Sequence, residues 1–425
     1  MQAFQGLSQN ELVERKNALL KQYQAYKDQG LKLDMSRGKP GSDQLDLSMD
    51  IFKDIENLAA EDGFDVRNYG LLDGIKEAKA LFASLLGHNE DEIFIGGNSS
   101  LNLMYDLIAK AFIHGLNGFE KPWCKLEKIK FLCPSPGYDR HFAITELFGV
   151  EMIVVPMTEE GPDMDMVEDI AGKDPSVKGM WNIPMYSNPS GITYSDRVVK
   201  RLASMKTAAS DFIIMWDNAY AFHHLYGDAQ DKLLNLMEEC KKAGNPNRVY
   251  EFTSFSKVTF PGAAIAMMAS SKENIAHVKK QISIQTIGFD KINQLLHVRF
   301  LKNPEHLAEH MKKQAEILRP KFEIVLSILE KNLAGKQIAS WNKPRGGYFI
   351  SLYVKEGCAK RAVALAKEAG VTLTPAGATF PYGKDPKDSN IRIAPTYPPV
   401  DELKAAIEVL CVCVELAALE SVLGC

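Results

Sequence analysis

Short apolar runs separated by helical segments constrain this chain more than any other feature. Lys128-Ile-Lys-Phe-Leu-Cys133, Val150-Glu-Met-Ile-Val-Val155, Lys178-Gly-Met-Trp-Asn-Ile183, Phe212-Ile-Ile-Met-Trp216 and Val249-Tyr-Glu-Phe252 read as strands, with helical patterns between them at 139–148 and 195–209. Apolar strands alternating with helices imply a parallel sheet buried on both faces. Such a sheet binds ligands beyond the carboxyl ends of its strands. Those ends carry Pro-Ser-Pro-Gly-Tyr-Asp-Arg-His at 134–141, Ser-Asn-Pro-Ser-Gly at 187–191, Asp-Asn-Ala-Tyr at 217–220 and Ser-Phe-Ser-Lys at 254–257. The polar residues therefore gather where the topology puts a site.

The last of these ends bears Lys257. A lysine buried at a strand end loses hydration, which lowers its pKa and turns the ammonium into a nucleophilic amine. Such an amine can form a Schiff base with a carbonyl, pyridoxal phosphate being the commonest carbonyl cofactor. Earlier in the chain a short strand at 92–95 runs into Gly96-Gly-Asn-Ser-Ser-Leu101 at a helix start. Free N–H groups and the helix dipole favour an anion there, although serine N-capping explains the same residues. The turn matches neither a Walker A loop nor a dinucleotide fingerprint.

The flanks read differently. Residues 9–30 form a helix with Leu12, Leu19 and Leu20 on its apolar face, and 33–41 form a Gly/Pro loop. Residues 68–87 are a tyrosine-bearing turn followed by an amphipathic helix ending at Gly87. A long helix over 304–333 contains Pro320, which should kink or break it. Beyond it, strands at 346–354, 371–374 and 390–394 and helices at 357–369 and 400–423 describe an α+β unit. In the last helix Leu403, Ile407, Leu410, Val414 and Ala417 fall at helical spacing, which predicts an amphipathic helix packed on a domain.

Composition excludes several classes. With 425 residues the chain can bury two or three domain cores. A formal charge of −4 gives no support for nucleic-acid binding. No apolar run approaches membrane-spanning length and no secretory signal is evident at the N-terminus. The seven cysteines are scattered without C-x-x-C spacing. They read as reduced thiols of a cytoplasmic protein with no metal site.

Taken in order, the Tyr turn, Gly-Asn-Ser-Ser, Pro-…-Tyr, Asn-Pro-x-Gly, Asp-x-x-Tyr, Ser-x-x-Lys and a late Arg resemble the fold-type I pyridoxal-phosphate aminotransferases over essentially the whole chain. Ser-Arg-Gly-Lys-Pro at 36–40 and Pro-Ala-Gly-Ala-Thr-Phe-Pro at 375–381 look like the bacterial type Ic aspartate aminotransferases within that family. The resemblance implies an α/β fold. A large, mostly parallel seven-stranded sheet domain (61–318) would be flanked by helices. A smaller α+β domain would be built from both termini (1–60 and 319–425).

It also implies roles. Lys257 would hold pyridoxal 5′-phosphate and shuttle a proton. Asp217 would pair with the pyridine nitrogen, with His141 behind it, and Tyr220 and Asn188 would bond the phenolic oxygen. Tyr138 would stack on the ring. Asn98, Ser99, Ser100 and Ser254 would bind the phosphate, joined by Tyr69 from the neighbouring subunit of a homodimer with shared active sites. Arg392 would clasp the substrate α-carboxylate beside the Gly38 backbone. One departure stands out: the family commonly places an arginine about eight residues after the lysine, and this chain reads Pro261-Gly-Ala-Ala-Ile-Ala266 there.

The expected activity is ping-pong transamination of L-aspartate with 2-oxoglutarate, the substrates being amino acids and 2-oxo acids. Arg37, Lys39, Arg140 and Lys291 are candidates for the cation that a second substrate carboxylate needs. Alternatives are an aromatic- or kynurenine-type aminotransferase, a lyase or decarboxylase on the same scaffold, and a non-catalytic effector-sensing regulator.

Overall fold

The computed structural model describes residues 4, 6–53, 55–119 and 121–424. Its centre is an eight-stranded sheet in the order Ile93–Ile95, Ala266–Ala269, Val249–Ser254, Ile213–Asp217, Val177–Asn182, Lys130–Ser135, Glu151–Thr158, Gly161–Pro162. The five strands from Val249–Ser254 to Glu151–Thr158 pair in parallel, while Ala266–Ala269 runs antiparallel to both of its neighbours. Valine, isoleucine and aromatic residues fill the parallel strands, and every residue of Ile213–Asp217 and Val249–Ser254 is buried. One apolar core lies on each face of this sheet. The expected seven strands gain an eighth, the two-residue Gly161–Pro162, which turns back on the edge strand Glu151–Thr158.

Helix ends follow local chemistry. Ser8 and Glu11 form a capping box for Gln9–Asp28. Gly87 closes Lys76–Leu86 in the left-handed conformation at φ 72°, where a Cβ would be strained. In Gln9–Asp28 the buried residues are Leu12 and Tyr23, whereas Leu20 is exposed, so the apolar stripe is narrower than expected.

The helix Pro304–Leu333 runs unbroken through Pro320. Pro320 and Glu316, whose carbonyl loses its intrahelical partner, both lie on the exposed side, where water can take over that hydrogen bond. The second half of this helix enters a third core with the antiparallel sheet Ala339–Trp341, Ile350–Val354, Asn390–Ile393, and with Ala359–Glu368, Gln9–Asp28 and Val400–Leu423. Leu33–Asp34 pairs in parallel with Val371–Thr372 and ties the amino-terminal segment to the same unit.

The last helix is not amphipathic: every residue from Val409 to Leu419 is buried. Helices pack on several sides of that stretch, so none of its faces is left to water, and only the end turns, with Asp401, Glu402, Lys404 and Ser421, are exposed. Its one buried carboxylate, Glu415, pairs with Arg15 and Lys336. None of the helices among the described residues is long and apolar enough to cross a membrane.

Candidate active site

At the carboxyl end of Val249–Ser254 the chain makes a tight turn, Phe255–Lys257. Phe255 is fully buried and stacks on Phe82 at 4.5 Å, which anchors the turn. The Lys257 carbonyl is held too, accepting from Tyr348 Oη at 3.4 Å and lying 3.2 Å from His223 Nε2. A fixed main chain leaves the side chain to enter a cavity of about 830 Å³. The Lys257 amine lies 5.1 Å from the Tyr220 ring centre and 5.8 Å from that of Tyr348. Part of the residue faces the cavity, yet loss of hydration lowers its pKa, against an opposing pull from Asp217. Burial, then the nearby Lys257 charge, pushes His223 down to about 3, so its ring is neutral.

Asp217 ends the next strand and is buried. Its Oδ2 lies 3.0 Å from His141 Nε2. His141 in turn stacks on Trp181 at 4.3 Å between ring centres, with planes 10° apart. The Trp181 indole N–H donates to Thr145 Oγ1 at 2.7 Å, and that hydroxyl donates to the His141 carbonyl at 2.7 Å. The remaining carboxylate oxygen, Asp217 Oδ1, has no partner among the described residues. A buried acceptor left in that state is costly. A protonated pyridine nitrogen is a donor of the kind it lacks, so this corner fits the ring of pyridoxal phosphate.

Arg392 projects from Asn390–Ile393, far away in sequence, and is 6% exposed. Its Nη1 donates to Asp139 Oδ1 at 2.9 Å and to Asn188 Oδ1 at 3.3 Å. Its Nε and Nη2 both reach Thr374 Oγ1, at 3.3 and 3.2 Å. The guanidinium sits 5.0 Å from the Phe349 ring centre. Phe349 also explains Gly38: a Cβ there would stand 2.5 Å from the Phe349 ring, so only glycine lets this loop close over it. The carboxylate of Asp139 thus already occupies one arm of the arginine.

Serines line the remaining wall. Ser99 precedes the helix Ser100–Ile113 and makes no side-chain cap bond, so its hydroxyl is not spent on N-capping. Ser254 donates to Ser256 Oγ at 2.9 Å, and Ser256 donates to the Asn98 carbonyl at 3.3 Å. Hydroxyls and a helix N-terminus suit a phosphate dianion.

Of the residues singled out from sequence, Gly38, Ser99, Ser100, Tyr138, Asn188, Asp217, Tyr220, Ser254, Lys257 and Arg392 all line this one cavity. Asn98 does not; its amide donates to the Gly262 carbonyl at 3.3 Å, and its own carbonyl accepts from Ser256. Tyr69 is 77% exposed and also lies outside the lining. Among the candidate cations Arg37, Lys39 and Arg140 line the cavity, whereas Lys291 is buried elsewhere with its amine 3.4 Å from the Phe289 carbonyl. Sequence reasoning missed Ser256, Thr374, Phe349 and the Asp139 partnership. Asp139 and Ser256 belong to the strand-end motifs 134–141 and 254–257, whereas Thr374 and Phe349 belong to none of the motifs.

A family model described as aspartate amino-transferase matches residues 7–425. The chain belongs to that family. An aspartate aminotransferase of Corynebacterium glutamicum is 47% identical over 402 residues, covering 94% of this chain and 93% of the relative. A crystal structure of an aspartate transaminase from the same species superposes with a TM-score of 0.96 at 45% identity, covering 99% of both chains. The α-aminoadipate aminotransferase LysN of Thermus thermophilus, complexed with N-(5′-phosphopyridoxyl)-L-leucine, shares the fold at a TM-score of 0.73 and 21% identity, covering 98% of this chain and all of LysN. Family members are pyridoxal-phosphate transaminases, and the lysine, the carboxylate and the arginine expected of one converge in this cavity.

Proposed function

We propose that this protein transfers the amino group of L-aspartate to 2-oxoglutarate, giving oxaloacetate and L-glutamate in a ping-pong cycle. The observation that carries the reading is the meeting of Lys257, the half-satisfied Asp217 and Arg392 in one cavity. Pyridoxal phosphate supplies the electron sink for charge developing at the substrate Cα. Lys257 binds the cofactor and then moves the proton at that Cα, a task its lowered pKa favours. Asp217 Oδ1 holds the proton on the ring nitrogen, while His141, pinned by Trp181, fixes the carboxylate.

Asn188, whose oxygen faces Arg392, keeps its N–H₂ for the phenolic oxygen, with Tyr220 as the second donor. Tyr138 covers the ring, and Ser99, Ser100, Ser254 and Ser256 with the Asn98 backbone hold the phosphate. Arg392, oriented by Thr374, takes the α-carboxylate as a bidentate pair beside Gly38, displacing Asp139. Arg37, Lys39 and Arg140 supply positive charge for the side-chain carboxylate. We assign Tyr69 to the phosphate of the partner subunit in a cytoplasmic homodimer. Residues 1–60 and 319–425 make up the smaller domain and 61–318 the cofactor-binding one.

The test is a half-reaction. Purified protein loaded with pyridoxal phosphate receives L-aspartate without a keto acid. The visible band of the bound cofactor should disappear as one equivalent of oxaloacetate per subunit forms. A band indifferent to aspartate but responsive to phenylalanine or kynurenine overturns the substrate assignment. Release of carbon dioxide with alanine while the band persists makes the protein a decarboxylase instead.

A further inference from the structure

Asp139 opens the helix Asp139–Leu147, directly after Tyr138, whereas Arg392 comes from the three-stranded antiparallel sheet. The two side chains meet inside the substrate cavity, which both residues line. A guanidinium has five N–H groups, and here four are committed. Both on Nη1 are taken, by Asp139 Oδ1 at 2.9 Å and Asn188 Oδ1 at 3.3 Å, while Nε and Nη2 each give one to Thr374 Oγ1. One N–H remains, on Nη2. A carboxylate held as a bidentate pair needs two parallel N–H groups. One partner therefore has to leave before a substrate carboxylate is held in that way.

The three partners are not equally free to go. Asn188 and Thr374 are buried, and Thr374 also donates to the Ser36 carbonyl at 2.6 Å. The Asp139 side chain is 32% exposed and makes no other hydrogen bond among the described residues. It is also the one partner with a charge, and so the one that matches the substrate group chemically. A buried guanidinium without a counter-charge is costly, and Asp139 supplies that charge while the site is empty.

We propose that Asp139 is a built-in competitor for the substrate α-carboxylate. It holds Arg392 between turnovers, yields the arm to each incoming amino or 2-oxo acid, and takes it back as product leaves. The inference rests on Arg392 as the α-carboxylate site and makes Asp139 a positioning residue acting through that arginine. Only molecules with Asp139 swung aside are competent to bind, so the apparent dissociation constant is raised by the inverse of their fraction. One arginine serves both half-reactions, so amino acid and keto acid are affected alike.

The test titrates the loaded enzyme with succinate and with 3-phenylpropionate, carboxylates that lack an amino group. Binding is followed by calorimetry and by the visible band of the cofactor. Asp139→Asn should bind whichever probe the parent accepts about fivefold more tightly or better, and Asp139→Ser should do the same. In steady state both variants should show a lower KM for amino acid and keto acid together, without a rise in kcat. A residue that merely held Arg392 in place would give the opposite sign. Equal or weaker probe binding in both variants overturns the proposal, yet spares the arginine assignment if Arg392→Lys weakens the probes. If Arg392→Lys binds them as the parent does, the carboxylate assignment falls and the proposal with it. Binding of neither probe to parent or variants also overturns it. Failure of the aspartate half-reaction, with 3-phenylpropionate still tightened by Asp139→Asn, removes the substrate reading and supports this one.

Discussion

Lys257 pays in stability for what it supplies in chemistry. Its folded-state pKa is lowered by burial, so the unfolded chain binds more protons in the interval up to the ordinary lysine value of about 10.4. Stability contributed at this position therefore rises with pH through that interval, and the full cost is felt below the folded-state value. Lys257→Met should make the cofactor-free protein more stable near neutral pH. Denaturant melts at a series of pH values should show the gain shrinking as pH rises towards about 10.4 and levelling off above it. The same substitution should lower kcat by about four orders of magnitude or more, since both the attachment point and the proton carrier are gone. A variant that stayed as labile as the parent near neutral pH would mean that the amine is better solvated than its surroundings suggest. The residues of this corner were legible in sequence because each sits at a strand end. Thr374 and Phe349 were not, because their contacts with Arg392 and Gly38 join segments that local spacing cannot connect.

At the scale of elements, apolar composition was a good guide to strands and a poor one to the last helix. Ala266–Ala269 lacks the β-branched residues that mark a strand and is held by its position between two others. Val400–Leu423 shows helical spacing on one face, and the small residues on its other faces (Cys411, Cys413, Ala418) give no sign that they too are covered. Its Glu415 is the exception that needs company. The carboxylate is 4% exposed, whereas Lys336 is 25% and Arg15 39% exposed. Removing the charge leaves two cations, both with access to water, so the loss should be moderate. Glu415→Gln is expected to destabilise by about 1–3 kcal/mol in urea melts, and Arg15→Ala by under about 1 kcal/mol. If the second substitution proved the costlier, the pairing would owe more to Arg15 packing than to charge.

For the whole molecule, sequence order foretold the doubly covered sheet and the site beyond its strand ends. It could not reveal the pairing of Asp139 with Arg392, which joins residues 253 positions apart. The assigned role of Tyr69 belongs to this scale as well. If each site borrows that tyrosine, chains carrying Lys257→Ala and chains carrying Tyr69→Ala, each impaired alone, should complement one another when mixed and reassembled. Every mixed dimer would hold one intact site, so aspartate turnover should recover to roughly a quarter of the unmutated level for random pairing of equal amounts. Mixed activity no greater than the average of the two parents would place Tyr69 in its own subunit's affairs.

The pairing of Leu33–Asp34 with Val371–Thr372, and the packing of Gln9–Asp28 on Val400–Leu423, set a timetable for synthesis. Gln9–Asp28 leaves the ribosome long before Val400–Leu423, the helix it packs on. At about 5–20 residues per second it waits for tens of seconds or longer. The central sheet can close in the meantime, because all its strands lie between residues 93 and 269. A helix that must wait in water should be mostly polar, and this one buries only Leu12 and Tyr23. The sparse apolar stripe of the first helix and the saturated apolar surface of the last are complementary answers to the order in which the two ends are made.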